Sequence, residues 1–211
     1  MARISRREVL ENFRTRSLLE ATRKIIATQG FDAVTMERVA EEAGITKGAI
    51  YLYFPNKDQL ILSAIEEIAS EMLQEIEKRV DLKGSPWERL CQVVRAQMEI
   101  MERHKDLLRT LLLDRRLLRD SPRGRQSARL LKYRSRHEAR LKEILKEGVR
   151  QKIFYPVDTS RAAFYVNEMT ISTAQKRMLG LSRFSLDQDI QGLIHFISRL
   201  LREQKTVTDP R

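Results

Sequence analysis

The chain is poor in the residues that make turns. Its 211 residues include only 8 glycines and 5 prolines, too few for a fold of many short strands joined by tight turns. A single cysteine, Cys91, excludes an intramolecular disulfide and fits a reducing compartment. It sits in a helical apolar pattern with Leu90, Val93 and Val94, which reads as core rather than as a redox sensor. The three histidines, His104, His137 and His195, are far apart. No Cys-x-x-Cys or His-x-x-Glu-His spacing brings metal ligands together, so no metal site is expected. No nucleophile lies beside a recognisable base, and no glycine-rich phosphate loop follows a strand. Catalysis and a bound cofactor are therefore not expected. Apolar runs are only a few residues long, far short of the ~20 that cross a bilayer. The opening MARISRREVL carries charges where a signal peptide needs an apolar core. The expected setting is the cytoplasm, with no membrane partner.

What the chain has in quantity is charge, with 40 Lys and Arg against 29 Asp and Glu, a net of +11. Its placement is uneven. Residues 1–60 carry 10 basic and 8 acidic side chains, whereas residues 103–152 carry 17 and 6. The densest stretch runs from Arg115 to Arg136. It reads as a solvated basic face, as a supplementary phosphate contact, or as a lure for an anionic small molecule, and the sequence does not choose among these.

The segment TMERVAEEAGITKGAIYLYFPNKDQL, Thr35 to Leu60, has the layout of a helix-turn-helix. Thr35 is placed to cap a first helix whose Met36, Val39, Ala40 and Ala43 recur at helical spacing. Gly44 ends it, where a left-handed backbone conformation suits glycine. Thr46 caps a second helix. Ile50 and Phe54, four apart, turn inward. Lys47, Gly48 and Tyr51 fall on the other side, near the end that meets base edges in this motif. Pro55 closes the helix. Asn56 and Gln59 form a capping box for a third helix, with Lys57 in its first turn.

The string VAEEAGITKGAIYLYFPNKDQL, with LLEATRKIIATQGFDAVTMERVA before it, resembles the DNA-binding signature of TetR-family transcriptional regulators. The resemblance covers residues 17 to about 62. It implies an all-α homodimer of about nine helices, with an N-terminal three-helix reading head and a six-helix effector-binding and dimerisation domain. By position it implies a DNA-facing set of Thr35, Thr46, Lys47, Gly48, Ala49, Tyr51, Tyr53 and Lys57. Ala49 stands where the family often has a polar, base-reading residue. Discrimination would then rest more on Lys47, Tyr51 and the Ala49 methyl.

Caps and periodicity give the remaining organisation. Residues 1–12 read as an arm whose Arg3, Arg6 and Arg7 reach the minor groove or nearby phosphates, or as a frayed terminus. A first helix spans about 13–29 with Leu18, Ala21, Ile25 and Ile26 as its stripe. A long helix over about 57–80 would join the two domains, so that tilting it moves the reading head. Ser85-Pro86-Trp87-Glu88 is a strong helix start. Helices follow over about 85–103, 105–117, 125–151, 158–179 and 185–203. The expected domains are 1–56, 57–204 and a tail, 205–211.

In the second domain Trp87, Met98, Met101, Phe164, Tyr165 and Met169 are candidate walls of an effector pocket, though the same residues suit plain core. The family resemblance assigns the last two helices to the dimer, with Ile190, Leu193, Ile194, Ile197 and Leu201 as the seam. The function expected is a sequence-specific regulator, a repressor that leaves a palindromic operator when a small molecule binds. That effector is unidentified and could be anionic. The alternative is a DNA-binding dimer without a small-molecule effector, controlled by a protein partner or by abundance.

Overall fold

The computed structural model describes residues 5–80, 83–113 and 125–202. Arg3, residues 115–124 of the basic stretch from Arg115 to Arg136 and the tail 205–211 lie outside the described residues. Among those described there are nine α-helices and no strand. They are α1 (Arg6–Gln29), α2 (Met36–Glu42), α3 (Lys47–Ile50), α4 (Lys57–Arg79), α5 (Pro86–Arg103), α6 (Lys105–Leu113), α7 (Arg125–Arg150), α8 (Thr159–Met178) and α9 (Leu186–Leu201). A short 3-10 turn, Phe31–Ala33, follows α1.

By packing, the chain divides into two compact units. One comprises Met1–Ala69 with His104–Leu130, the other Ser70–Arg103 with Leu131–Arg211. The boundary between these units lies inside α4, between Ala69 and Ser70. The arm is shorter than expected, because α1 starts at Arg6. RREVLENF contains no helix breaker and several good helix formers, so the helix extends toward the terminus. Arg6 and Arg7 belong to its first turn; their side chains lie outside the described residues.

In the first unit Leu18, Leu19, Ala21, Ile25 and Ile26 of α1 are buried. The Thr22 hydroxyl donates to the Leu18 carbonyl at 2.8 Å, which lets a polar side chain share this buried face. The helix stops at Gly30, whose φ of 85° is left-handed. An ion pair between Lys24 and Glu42 ties α1 to α2.

In the second unit α5 packs on α8 and α9. With α7 they share a core that includes Leu90, Val93, Val94, Leu141, Leu145, Val166 and Ile197. The expected start of α5 is present in full. Glu88 N–H donates to Ser85 Oγ at 3.3 Å, and Ser85 N–H donates back to the Glu88 carboxylate at 2.8 Å. Asp158 caps α8, accepting from Ser160 and Arg161 N–H. Ser185 and Gln188 make the reciprocal box at α9. Each box satisfies N–H groups that have no partner within the helix. Arg177 pins three elements together, pairing with Glu102 of α5 at 3.0 Å and Asp189 of α9 at 2.7 Å. No helix among the described residues is long and apolar enough to cross a membrane.

Candidate nucleic-acid interface and ligand cleft

The head is built from local signals. Thr35 Oγ1 accepts from Arg38 N–H at 3.2 Å, and Thr46 Oγ1 accepts from Ala49 N–H at 3.3 Å. Between them Gly44, at φ 68°, reverses the chain, and Ile45 N–H donates to the Ala40 carbonyl at 2.9 Å. Ile50 and Phe54 are buried, as their spacing predicts. The second helix is shorter than that spacing suggests. After Ile50 the hydrogen bonds tighten, Leu52 N–H to Ala49 O and Tyr53 N–H to Ile50 O, and Pro55 prevents continuation. Asn56 Oδ1 caps α4 through Gln59 N–H at 2.9 Å.

Thr35, Thr46, Lys47, Gly48 and Tyr51 are exposed together, while Ala49, Tyr53 and Lys57 are half-buried. A Cβ added to Gly48 would meet nothing within 4 Å, and its φ is not positive. The protein therefore makes no internal use of this glycine. Glycine inside a helix costs about 0.5–1 kcal/mol relative to alanine. The room it leaves suits an outside partner that must come close.

The two lysines of the set are engaged. Lys47 Nζ pairs with Glu37 at 2.5 Å. This hydrogen bond pulls the Glu37 carboxyl below its ordinary range and pushes the Lys47 ammonium up. Lys57 Nζ donates to the Phe31 carbonyl at 3.3 Å and stands 4.3 Å over the Phe31 ring. It anchors the turn before α2 while offering its remaining donors outward. Residue types alone did not indicate the Lys47–Glu37 pair, although the partners lie ten residues apart on consecutive helices. One exposed residue of the head was missed entirely. Leu52 is 84% exposed beside Tyr51 at 47%, and its position two residues from both Ile50 and Phe54 could have pointed to it.

The expected pocket residues are not brought together in the second unit. Met98 is completely buried, and Phe164 and Tyr165 are exposed. Tyr165 and Met169 line a groove of about 370 Å³ between α8 and α9. A different cleft, of about 690 Å³, opens between α4, α5 and α7. Trp87, Met98, Met101 and Phe164 are not among its lining residues. Its walls include Leu73, Ile76 and Ile144, with Arg89, Arg136 and Arg140 among its cations. Arg89 is held by Glu147 at 2.5 Å. Among the described residues Arg136 and Arg140 form no ion pair. His137 also borders this cleft. Its Nε2 lies 3.0 Å from Gln97 Oε1, and Gln97 Nε2 donates to Asn167 Oδ1 at 3.1 Å. Burial pushes the His137 pKa down to about 4, so the ring is neutral at physiological pH.

The residues expected at the seam, Ile190, Leu193, Ile194, Ile197 and Leu201, face inward in the single chain. Ile190, Leu193, Ile197 and Leu201 are buried within their own chain, and Ile194 is half-buried against the same core. A side chain that fills its own core is not available to a second copy. The apolar stripe of a helix marks the core first. Phe164, Tyr165, Leu179, Phe184, Phe196 and Leu200, on or beside α8 and α9, are exposed instead.

Known proteins match both parts of the chain. The model of the tetR family of bacterial regulatory proteins matches residues 18–64, and a tetracyclin repressor-like C-terminal domain matches residues 83–175. The chain belongs to the tetR family. YerO, an uncharacterized helix-turn-helix-type transcriptional regulator of Bacillus subtilis, is 36% identical over 107 residues, covering 49% of this chain and 36% of its own. This chain spans less than half the length of several curated relatives it matches, YerO included. Two solved structures share the tetR-family fold. A TetR transcription regulator from Haloarcula marismortui has a TM-score of 0.75 at 18% identity, over 90% of this chain and 100% of that one. The regulator FadR of Bacillus subtilis, solved in complex with stearoyl-CoA, has a TM-score of 0.70 at 20% identity, over 86% and 96%.

Proposed function

We propose that this tetR-family protein is a cytoplasmic, homodimeric transcriptional repressor. It binds a palindromic DNA operator through Thr35, Thr46, Lys47, Gly48, Ala49, Tyr51, Tyr53 and Lys57, and a small anionic molecule releases it. The observation that carries the reading is the open space over Gly48 in α3, a helix capped by the Thr46 side chain that exposes Thr46, Lys47 and Tyr51. A helix backbone that comes this close to a partner is what major-groove reading requires. The second copy docks through the exposed aromatic and leucine face of α8 and α9, which is too concentrated for scattered surface residues. Two heads then meet two half-sites about one DNA turn apart.

The effector site is the cleft of α4, α5 and α7. Its apolar floor suits an acyl or aryl group, and its arginine rim suits a carboxylate or phosphate. The stearoyl-CoA complex of FadR is consistent with a ligand of this class. Leu73 and Ile76, which border the cleft, belong to the same continuous helix as Leu60 and Ile61 of the head. A ligand that favours one setting of α4 would change operator affinity by a coupling of about 1–3 kcal/mol.

The test begins with selection of bound duplexes from a random pool by the full chain. A two-fold symmetric site with fixed spacing supports the reading, and binding without sequence preference overturns it. Stearoyl-coenzyme A is then titrated against the operator complex, with choline as a cationic control. Release by the anion, abolished in an Arg136→Glu/Arg140→Glu variant that still binds the operator, supports the cleft. Equal release from that variant overturns it.

A further inference from the structure

The polar groups of the reading surface are largely committed. The Thr35 and Thr46 hydroxyls accept from their own helices. Lys47 is paired with Glu37, and Lys57 with the carbonyl and ring of Phe31. From Thr46 to Phe54 the chain reads TKGAIYLYF, without arginine, asparagine or glutamine. Apart from Lys47, which is paired with Glu37, the stretch thus lacks the side chains that make bidentate hydrogen bonds to guanine and adenine in the major groove. Gly48 and Ala49 add no polar side-chain atom. What this surface does present is apolar. Leu52 is 84% exposed, Tyr51 nearly half exposed, and Ala49 half-buried.

Leu52 is also held in place. Its N–H donates to the Ala49 carbonyl at 3.2 Å, and the neighbouring Tyr53 and Phe54 N–H groups both donate to the Ile50 carbonyl. Ile50 and Phe54, on either side, are locked in the core. A leucine so exposed on so constrained a backbone contributes nothing to its own fold.

We infer that Leu52, with the Tyr51 ring beside it, is a specificity-determining residue that reads thymine by its C5 methyl group. That methyl is the one apolar group that a base pair displays in the major groove. The inference rests on the DNA-binding reading above and names the chemistry of its specificity: thymine is selected over cytosine by apolar contact, not by a hydrogen-bond code. Leu52 is continuous with the helix-turn-helix surface, so it needs no separate docking event.

The experiment uses the full chain and the operator selected from the random pool. Each thymine is replaced in turn by deoxyuridine, which keeps every hydrogen-bonding group and lacks only the methyl. The expected result is one thymine per half-site where the replacement weakens binding about fourfold, the loss equivalent to one buried methyl. Replacing the symmetric pair weakens it roughly fifteenfold. In Leu52→Ala the deoxyuridine penalty at that position disappears, while the melting temperature stays unchanged because the side chain is solvated. A second variant, Leu52→Met, retains an apolar side chain and retains most of the penalty. If deoxyuridine is tolerated at every thymine of a specifically bound operator, the methyl reading is wrong and the regulator reading survives. The methyl reading is equally wrong if the penalty persists in Leu52→Ala. If the pool yields no specific site, both readings fail together.

Discussion

Gly48 and Gly148 both lie within helices, yet an added Cβ meets opposite surroundings at the two positions. At Gly48, in the reading head, it meets open space. At Gly148, near the end of α7, it would fall inside the Phe154 ring. The polar groups divide the same way. Lys47 and Glu37 pair in solvent on the head, whereas His137, Gln97 and Asn167 form a buried chain in the second unit. In one region the structure leaves chemistry facing outward for a partner. In the other it consumes the chemistry internally. The same residue type thus has different meanings, and substitutions separate them.

The largest expected effect is at His137. Burial lowers its pKa to about 4 from an ordinary value of 6.5. The unfolded chain therefore binds this proton more readily, so stability is fully present above pH 6.5 and falls as pH drops toward 4. The contribution over that window is about 3 kcal/mol. His137→Gln keeps a donor for Gln97 without titrating. Urea midpoints measured from pH 7 to 4 are expected to show a clearly shallower decline for the variant. Parallel declines would mean that the ring is not kept neutral by burial.

Gly148→Ala comes next. Phe154 is buried and stacks edge-on with Trp87, ring centroids 6.4 Å apart. Displacing it overpacks the core at a cost of about 2 kcal/mol. Chemical denaturation is the measurement, and an unchanged midpoint would show that the ring moves aside freely.

This contrast also explains what could be read from the chain. The head was legible because its signals are local. Thr35, Thr46 and Asn56 each act on backbone groups a few residues away and appear as hydrogen bonds, and Gly44 has the left-handed φ expected of it. The second unit was legible only as a set of helices. Helical spacing says that Ile190, Leu193, Ile197 and Leu201 share a face, but not whether that face meets its own core or a second copy. The residues that line the cleft differ from those expected for a similar reason. The cleft draws on α4, α5 and α7 at positions up to 77 residues apart, Leu73 and Arg150 among them, and no local pattern encodes that juxtaposition.

Gly48→Ala sharpens the comparison from the other side. With no internal clash, the alanine stabilises α3 by about 0.5–1 kcal/mol. The same methyl would stand where the DNA backbone or base edge must approach. Thermal melting and operator titration on one sample are expected to move in opposite directions, with higher stability and weaker binding. Tighter or equal binding would remove the central support for reading this face as the DNA contact.

The smallest effect lies at Glu37. Its carboxylate occupies Lys47, and the pair raises the lysine pKa while holding the carboxyl charged. Both side chains are largely solvated, so the pair adds little to stability. Its effect is on the partner. With Glu37 in place, a phosphate that takes Lys47 must displace the carboxylate and tolerate it nearby. Glu37→Ala is expected to leave folding unchanged and to tighten binding a few-fold. The slope of log K against log salt should steepen by about one, as for one added phosphate contact. Non-specific duplex should gain as much as the operator, because a phosphate contact carries no sequence information. A gain confined to the operator would instead place Lys47 on a base edge and return part of the sequence reading from Leu52 to the lysine.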